Sequence, residues 1–288
     1  MNEYDVVVIG AGSTGENVAD RATAGGLRVV IIESELVGGE CSYWACMPSK
    51  ALLRSGAALR AAQRVGGAKQ AVTGTLDVPA VLARRDKASS HWDDHKQVDW
   101  LTSAGVDLVR GSGRLTGERE VTVAHEDGTE TVLTARHAVA VCTGTSAVIP
   151  DIPGLRASRP WTNREVTSAK EVPGSLAIMG GGVVGVEMAT AYAGFGTKIT
   201  LFARGTLLGG NEPFAGEMVG HGLEELGAHI RLGVEATSVH REGSKVTIEL
   251  DDGSTIIADE LLVSTGRSPR TKGLGLEAFD LRHGAGAG

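Results

Sequence analysis

The stretch GAGSTG occupies residues 10–15, between a short apolar run at residues 4–9 and a helical stretch at residues 16–24. The apolar run is rich in β-branched residues and therefore predicts a buried strand of a parallel sheet. A second run of this kind at residues 28–32 is followed by Glu33. Strand, glycine-rich turn, helix and acidic residue in this order are typical of a dinucleotide-binding Rossmann unit, in which Glu33 accepts hydrogen bonds from a ribose.

The residues of this turn have separate expected tasks. Gly10 permits the tight turn, Gly12 lets the backbone approach a pyrophosphate, and Gly15 allows close packing of the helix. Ser13 and Thr14 lie in the turn just before the helix, whose positive N-terminus attracts phosphates. We therefore expect the turn to bind a nucleotide; the alternative is a glycine-rich turn that binds nothing.

A second unit of the same kind follows later in the chain. It has a strand, a turn of sequence GGGVVG, a helix and another strand, at residues 175–179, 180–185, 186–195 and 198–202. Its expected cofactor contacts are Gly180, Gly182, Val183 and Gly185. Two such units in one chain imply two dinucleotides.

The second unit differs from the first at the end of its second strand. Where the first has Glu33, the second has Ala203, followed by Arg204. The acid that would hold a free ribose 2′-hydroxyl is missing, and a cation suited to a 2′-phosphate is present. This favours NADP, with NAD possible; the alternative is that Arg204 is an ordinary surface arginine.

Two cysteines lie within GGECSYWACMPSK, at residues 38–50. In a regular α-helix Cys41 and Cys46 would be about 7.5 Å apart in axial rise alone, beyond the Cα spacing of about 7 Å that a disulfide tolerates. The flanking glycines and Pro48 can bend the backbone, and a strained disulfide is the reactive kind. A zinc site needs a second pair of Cys or His ligands, so redox chemistry is favoured over metal binding. Two buried thiols are the remaining alternative.

Composition narrows the class of protein. A chain of 288 residues, 42% of them hydrophobic, suits two domains. The formal net charge of −7 argues against a nucleic-acid partner. No apolar run approaches the roughly 18 residues of a membrane span, and the first strand leaves no room for a signal peptide. We expect a cytoplasmic protein, in whose reducing compartment a reactive cysteine pair cycles.

Two further helical regions are expected, at residues 51–65 and 78–104. The second region would place His91 and His95 on one helical face, since they are four residues apart. Without a third ligand, this pair predicts a solvated face rather than a metal site.

The remaining segments suggest the domain organisation. Alternating patterns predict a β-meander in each half of the chain, at residues 106–134 and 234–264. Prolines and a glycine at residues 149–154 mark a boundary. The expected division is therefore a first dinucleotide-binding domain, a second one and a short disordered tail, at residues 1–150, 151–266 and 267–288.

The cysteine segment is similar to the redox-active segment of the class I flavoprotein disulfide reductases, which include dihydrolipoamide dehydrogenase, glutathione reductase and mercuric reductase. The shared pattern is Gly-Gly-x-Cys-x-x-x-x-Cys-x-Pro-Ser-Lys, and Glu40 stands where the family has threonine. Thr143 and Gly144 resemble the family's Ala-Thr-Gly segment, with Cys142 in the alanine position as an expected core residue. Gly266 lies in a segment that resembles the exit from the family's nicotinamide domain.

The resemblance implies an α/β fold with two Rossmann-like, three-layer domains, each with a β-meander. It implies FAD in the first domain and NADP or NAD in the second. Electrons would pass from NAD(P)H through FAD to a Cys41–Cys46 disulfide, with Cys46 beside the flavin and Cys41 attacking the substrate. Lys50 and Glu187 would form an ion pair near the flavin. The other implied FAD contacts include Glu40, Cys41, Gly113, Thr143 and Gly144.

The resemblance also predicts what this chain would lack. Family members are homodimers, and their chains continue into a second flavin segment and an interface domain that carries a His-Glu acid–base pair. His283, in the expected tail, is not taken as that acid. Two hypotheses therefore stand: an oxidoreductase acting on a small-molecule or protein disulfide or on a metal ion, or a catalytically incomplete FAD- and NADP-binding protein.

Overall fold

The computed structural model describes residues 2–279, and His283 lies outside them. The strands in the described part are, in chain order, β1 (Glu3–Ile9), β2 (Val29–Glu33), β3 (Asp107–Arg110), β4 (Ser112–Gly117), β5 (Glu120–Ala124), β6 (Glu130–Val141), β7 (Thr145–Ala147), β8 (Ser175–Met179), β9 (Lys198–Ala203), β10 (His229–Leu232), β11 (Ala236–Glu242), β12 (Lys245–Leu250), β13 (Thr255–Ala258), β14 (Glu260–Val263) and β15 (Arg267–Pro269).

The α-helices of the same part are α1 (Ser13–Ala24), α2 (Gly39–Tyr43), α3 (Cys46–Arg64), α4 (Ala68–Ala71), α5 (Val78–Ala88), α6 (His95–Ser103), α7 (Asn163–Ser168), α8 (Val183–Gly194) and α9 (Pro213–Glu225). Short 3₁₀ turns occupy Ser90–Trp92 and Leu276–Ala278. None of the helices within residues 2–279 is both long and apolar enough to cross a membrane.

The chain forms two compact units. Of the described residues, unit 1 contains 2–43, 92–146 and 269–279, and unit 2 contains 44–91 and 147–268. The change of unit after residue 146 lies close to the predicted boundary at 150. The assignment of residues 44–91 differs from the prediction, which placed this whole segment with the first nucleotide-binding unit. Helices α3 and α5 make the difference, because their apolar residues join the core of unit 2.

The main sheet of unit 1 has the strand order β3-β2-β1-β6-β5-β4. Strand β1 pairs in parallel with β2 and with β6, whereas β5 is antiparallel to both β4 and β6. The predicted meander is therefore continuous with the parallel sheet. Strand β6 pairs with β5 along its first part and with β1 along its second part, and the register between β1 and β6 is irregular between Tyr4 and Val6.

Unit 2 keeps its two sheets separate. The parallel sheet has the order β10-β9-β8-β14, and the antiparallel meander has the order β11-β12-β13. One apolar cluster packs α8 against one face of the parallel sheet, and a second cluster packs the meander against the other face. The parallel sheets and the two meanders confirm the predicted α/β class with two Rossmann-like units.

The predicted helix at residues 78–104 is broken in the middle. Helix α5 ends at Ala88, and Ser90, His91 and Trp92 all have positive φ angles before α6 begins at His95. A left-handed backbone cannot continue a right-handed helix. The prediction that His91 and His95 share one helical face is therefore wrong.

The segment predicted as a disordered tail contains secondary structure in its described part. Residues 267–279 contain β15 and a 3₁₀ turn, and Leu274 is buried. The Leu115 N–H donates to the Leu274 carbonyl oxygen at 2.9 Å. The reason is that an apolar side chain and a main-chain bond tie the segment to β4, although its glycines resemble those of a loop.

Asp259 is an acidic residue that links the two sheets of unit 2 through Ser175 on β8 and Lys245 on β12. Its carboxylate accepts hydrogen bonds from the Ser175 N–H at 2.7 Å, the Ser175 hydroxyl at 2.8 Å and Lys245 Nζ at 2.6 Å. The Lys245 hydrogen bond is the main cause that lowers the pKa of Asp259 below its usual value, followed by Ser175. A carboxyl group with a lowered folded-state pKa stabilises the fold above its unfolded pKa of about 3.9, and this stability is lost as the pH falls through the folded pKa.

We expect Asp259→Asn to lower the urea midpoint of unfolding at pH 7, and the difference from the wild type to shrink as the pH falls below about 4. The control is Asp151→Asn, at an exposed position of the same unit. A difference between wild type and Asp259→Asn that stays the same from pH 7 to pH 3 would contradict the role of the charge.

Candidate active site

The glycine-rich turn of unit 1 is shaped by contacts that leave no room for side chains at its ends. Gly10 has φ +102°, and a Cβ there would lie 2.4 Å from the Cys142 carbonyl oxygen. A Cβ on Gly15 would lie 1.8 Å from the Gly10 carbonyl oxygen. Both distances are far inside van der Waals contact. Glycine at these positions is therefore required by the fold itself, before any ligand is considered.

Gly12 is different, because its own protein surroundings do not exclude a side chain. Its φ is −76°, and the nearest heavy atom to an added Cβ is the Gly39 Cα at 4.0 Å. The exposed residues Ser13 and Thr14 follow it at the start of α1. The space beside Gly12 is therefore open, because no protein atom and no side chain fills it. An open space at a helix N-terminus fits a nucleotide phosphate that approaches the backbone.

Glu33 braces this turn through the main chain. Its Oε2 accepts a hydrogen bond from the Ala11 N–H at 2.8 Å, and its Oε1 accepts one from the Glu35 N–H at 2.7 Å. Each carboxylate oxygen retains a further lone pair for a ligand hydroxyl. The predicted ribose contact remains a prediction, and the structure adds a bracing role that sequence reasoning missed.

The first part of the cysteine segment lies against the same turn. Gly38 and Gly39 have φ angles of +112° and +58°, and the Gly38 N–H donates to the Ala11 carbonyl oxygen at 2.7 Å. Helix α2 then carries Glu40 and the half-buried Cys41. The glycines are needed here because the chain must turn back in a left-handed conformation.

Tyr43 is the last residue of α2, and its side chain is completely buried. Its hydroxyl donates to the Val37 carbonyl oxygen at 3.0 Å. Burial, supported by the charge of Asp94, raises the pKa of Tyr43 to about 12. The phenol therefore stays protonated at neutral pH and holds the backbone before α2, which carries Cys41.

Arg270 is a residue of this site that sequence reasoning missed. Its guanidinium lies 3.5 Å from Glu40 Oε1 and 3.8 Å from Glu35 Oε2. The main-chain N–H of Arg270 donates to the Gly144 carbonyl oxygen at 3.0 Å, and the Thr143 hydroxyl donates to the Arg270 carbonyl oxygen at 2.7 Å. The structure thus brings Glu40 to the guanidinium of Arg270, and Thr143 and Gly144 to its main chain. The acid at position 40, where relatives have threonine, was the signal that a compensating cation should be sought.

Two other predicted residues of unit 1 lie deeper. A Cβ on Gly113 would lie 3.1 Å from Ile9 Cγ2 and 3.2 Å from Ile32 Cδ1, so this glycine allows β4 to pack closely on the sheet. Its contact with a cofactor remains a prediction. Cys142 is half-buried in the apolar cluster beneath α1, and burial raises the pKa of its thiol, as expected for a core residue.

The turn of unit 2 repeats the geometry of the first. Gly180 has φ +114°, and a Cβ there would lie 2.5 Å from the Ser264 carbonyl oxygen. A Cβ on Gly185 would lie 2.2 Å from the Gly180 carbonyl oxygen, whereas one on Gly182 would meet no protein atom within 4 Å. Val183 begins α8 and is exposed. The turn of unit 2 therefore also leaves an open space for a phosphate at the N-terminus of its helix.

The predicted pair of Lys50 and Glu187 is present in unit 2. Lys50 Nζ lies 2.6 Å from Glu187 Oε1, with side-chain exposures of 61% and 23%. Lys50 projects from the first turns of α3 and Glu187 from α8, two helices whose apolar residues share one core. The ion pair is partly solvated, and it places a cation one helical turn after Cys46.

Cys46 is the exposed first residue of α3, and a neighbouring helix holds the backbone that leads into it. The Trp44 carbonyl oxygen accepts hydrogen bonds from Asn163 Nδ2 at 3.0 Å and from the Thr167 hydroxyl at 3.2 Å. The Arg164 guanidinium lies 4.0 Å from the centre of the Trp44 ring. Sequence reasoning missed these residues of α7, because nothing in their local pattern relates them to the cysteine segment.

Arg204 and Gly266 complete the predicted residues of unit 2. Arg204 follows β9 with its side chain 86% exposed, and its Nε lies 3.6 Å from Glu235 Oε1. Gly266 has φ +148°, and its carbonyl oxygen accepts a hydrogen bond from the Val148 N–H at 3.0 Å. Among the described residues, no group of three or more His, Cys, Asp or Glu side chains is arranged to hold a metal ion.

Comparison with protein families gives one match that spans nearly the whole chain. The model of the pyridine nucleotide-disulphide oxidoreductases matches residues 4–286. The mercuric reductase of Acidithiobacillus ferrooxidans is 33% identical over 96% of this chain and 51% of its own length. The mercuric reductase of Staphylococcus aureus is 30% identical over 98% and 51%, and the dihydrolipoyl dehydrogenase of Chlorobaculum tepidum is 35% identical over 96% and 60%. The chain thus spans about half to three fifths of these relatives.

Solved structures agree on the fold. The Cu(II) complex of the HOCl-induced flavoprotein disulfide reductase RclA from Escherichia coli matches with a TM-score of 0.84 over 96% of this chain and 59% of its own. A second RclA structure, described without copper, gives 0.81. At 24% identity these matches bear on the fold alone, which they confirm.

Proposed function

Because this chain belongs to the pyridine nucleotide-disulphide oxidoreductase family, we propose that it passes electrons from NAD(P)H through FAD to a Cys41–Cys46 disulfide, and from there to a disulfide or metal-ion substrate. The observation that carries this proposal is a glycine-rich turn with room for a phosphate in each unit. Cys41 lies on α2 shortly after Gly38, which is hydrogen-bonded to the first turn, and Cys46 lies on the helix that carries Lys50. The Cys41–Cys46 pairing itself rests on the family resemblance.

The electrons balance in the proposed reaction. A bound flavin would supply the two-electron chemistry that links a nicotinamide hydride to a sulfur–sulfur bond. Reduction of the Cys41–Cys46 bond takes up the two electrons and the proton of the hydride, and it leaves one thiol and one thiolate. Cys41 then attacks a substrate disulfide as a thiolate, and the first substrate sulfur leaves and takes a proton. Cys46 next attacks the Cys41 sulfur of the mixed disulfide, which restores the Cys41–Cys46 bond and expels the second substrate sulfur, and that sulfur is protonated in turn.

The roles of the chain's own residues follow from the contacts described above. The turns at Gly10 and Gly180 leave their helix N-termini open to a dinucleotide phosphate. The Lys50–Glu187 pair supplies a fixed charge pair on α3 and α8. Arg204 offers a cation for a 2′-phosphate, which favours NADP over NAD.

A second candidate is binding of FAD and NADP without disulfide turnover. The observation that favours it is that the two glycine-rich turns with room for a phosphate account for nucleotide binding alone, without any part for the cysteines. Within the first proposal, the relatives named as mercuric reductases and dihydrolipoyl dehydrogenases are similar to this chain to nearly the same degree, so a metal ion and a disulfide are both candidate substrates.

An absorbance spectrum followed by anaerobic titration with NADPH separates these candidates. If the proposal is right, a bound flavin bleaches and a long-wavelength charge-transfer shoulder appears, because a thiolate lies against the flavin. Bleaching without a shoulder, and without reduction of added disulfide or Hg²⁺, would support the second candidate. A protein that takes up no FAD would contradict both.

We expect Cys46→Ser to abolish the charge-transfer shoulder while leaving flavin uptake unchanged, because the sulfur proposed to lie beside the flavin is removed. Cys142→Ser is the matched control, since Cys142 is assigned to the core of unit 1. An unchanged shoulder in Cys46→Ser would refute the assigned role of this cysteine.

A further inference from the structure

We propose that Glu235 is a specificity-determining residue for the nicotinamide nucleotide: it competes with a 2′-phosphate for Arg204 and so weakens binding of NADPH relative to NADH. This inference rests on the proposed function, since it takes the turn at Gly180 to be the nicotinamide nucleotide site. It concerns a residue that no glycine motif or cysteine segment includes.

The contact itself is an exposed ion pair within unit 2. Arg204 Nε lies 3.6 Å from Glu235 Oε1, and the two side chains are 86% and 53% exposed. A pair this exposed is weak and contributes little to stability. Its exposure also means that an incoming anion can reach the guanidinium, so that the carboxylate and the anion compete for the same donor.

The main chain holds Glu235 at this place. The Gly233 N–H donates to the Ala203 carbonyl oxygen at 2.9 Å, which ties the loop after β10 to the residue before Arg204. The Glu235 N–H donates to Asp251 Oδ1 at 3.0 Å, and the Asp251 N–H donates to the Glu235 carbonyl oxygen at 2.9 Å. Because its main-chain N–H and carbonyl oxygen are both bonded, the backbone of Glu235 stays in place and keeps its carboxylate within reach of Arg204.

The neighbouring charges reinforce the effect. Asp251 brings a second carboxylate to the backbone of Glu235. The adjacent Asp252 is paired with Arg231, whose Nη2 lies 2.5 Å from its Oδ2. In this group of side chains the carboxylates of Glu235 and Asp251 therefore outnumber the one cation, Arg204, which leaves an excess of negative charge. A 2′-phosphate, with a charge of about −1.5 to −2 at neutral pH, is repelled by this excess, whereas the 2′-hydroxyl of NADH is not.

The expected size of the effect follows from Coulomb's law. Two unit charges about 4 Å apart in a water-like dielectric interact by about 1 kcal/mol, which is roughly a five-fold change in a dissociation constant. Removing the charge of Glu235 should therefore tighten NADPH binding roughly five-fold at low salt. At 1 M salt the Debye length falls to about 3 Å, and most of this gain should disappear.

The experiment is calorimetric titration of the full chain with NADPH and, separately, with NADH. The variants are Glu235→Gln and, as a matched control with the same change in net charge, Glu242→Gln. Glu242 lies at the far end of β11, seven residues along a strand and so about 23 Å from Glu235. We expect tighter NADPH binding only in Glu235→Gln, unchanged NADH binding in both, and a larger gain in Glu235→Lys.

Equal NADPH affinities of Glu235→Gln and Glu242→Gln would overturn the assignment while leaving the proposed function standing. Tightening of NADPH and NADH to the same degree would also overturn it, because the effect would not depend on the 2′-phosphate. If the wild type bound neither nucleotide, the proposed function would fail, and the assignment of Glu235 would fail with it.

Discussion

Replacement of Arg85 by methionine is expected to lower the free energy of unfolding of unit 2 by about 3–5 kcal/mol. Arg85 has a completely buried side chain on α5. Its Nη1 donates to the Thr167 carbonyl oxygen at 2.6 Å and its Nη2 to the Ala169 carbonyl oxygen at 2.8 Å, while its Nε lies 2.6 Å from Asp86 Oδ1. Methionine fills much of the volume but can donate to none of these oxygens.

The size of this effect comes from the groups left behind. The carbonyls of residues 167 and 169 lie at the C-terminal end of α7, where a helix has no donors of its own to offer. A buried acceptor without a partner costs about 1–3 kcal/mol. Two such acceptors, together with a carboxylate that loses one of its two cations, account for the expected loss.

The measurement is hydrogen exchange across residues 175–203 under increasing urea, which follows the parallel sheet of unit 2. Arg84→Met is the matched control, because Arg84 is the neighbouring arginine of α5 but is exposed, and it donates to the Ala51 carbonyl oxygen at 2.9 Å. Equal destabilisation by the two variants would show that burial of Arg85 adds nothing. Because α7 also holds the Trp44 carbonyl, Arg85→Met should in addition loosen the start of α3.

The second large effect is expected from Gly12→Ala, which should weaken FAD binding by roughly 100-fold while unit 1 keeps its fold. A methyl group at this position meets no protein atom closer than 4.0 Å, and the backbone φ of −76° suits alanine. It would stand instead where a pyrophosphate approaches the α1 N-terminus. The loss of one or two charge-assisted hydrogen bonds, each worth about 1.5–3 kcal/mol, gives this factor.

Equilibrium dialysis against FAD, read by flavin fluorescence, checks the prediction, with circular dichroism as the measure of folding. Gly182→Ala is the reciprocal control: it should keep FAD and lose the nicotinamide nucleotide. Gly15→Ala should fail differently, through loss of folded unit 1, because its methyl group would lie 1.8 Å from the Gly10 carbonyl oxygen. Wild-type affinity for FAD in Gly12→Ala would place the pyrophosphate elsewhere.

Both Rossmann units were predictable because their signals are local. A strand, a turn with glycines at fixed spacing and a helix lie within about 25 consecutive residues, so backbone sterics and hydrogen bonding act between near neighbours. The structure shows why the first and last glycines of each turn must be glycine: a Cβ on Gly10 or Gly15, or on Gly180 or Gly185, would overlap a backbone carbonyl oxygen. The contact between Lys50 and Glu187 was predicted from the family resemblance, since residues so distant in sequence carry no local sign of it.

Only the tertiary structure decided which segments pack together. The sequence determined the two nucleotide-binding patterns, the cysteine segment and the missing acid beside Arg204. It did not show that residues 44–91 belong to unit 2, or that the helix at residues 78–104 breaks at His91. Arg85, Arg270 and Glu235 had the same appearance in sequence as any surface charge. Their environments are set by partners more than 30 residues away or in separate elements, and such packing depends on the whole fold rather than on local periodicity.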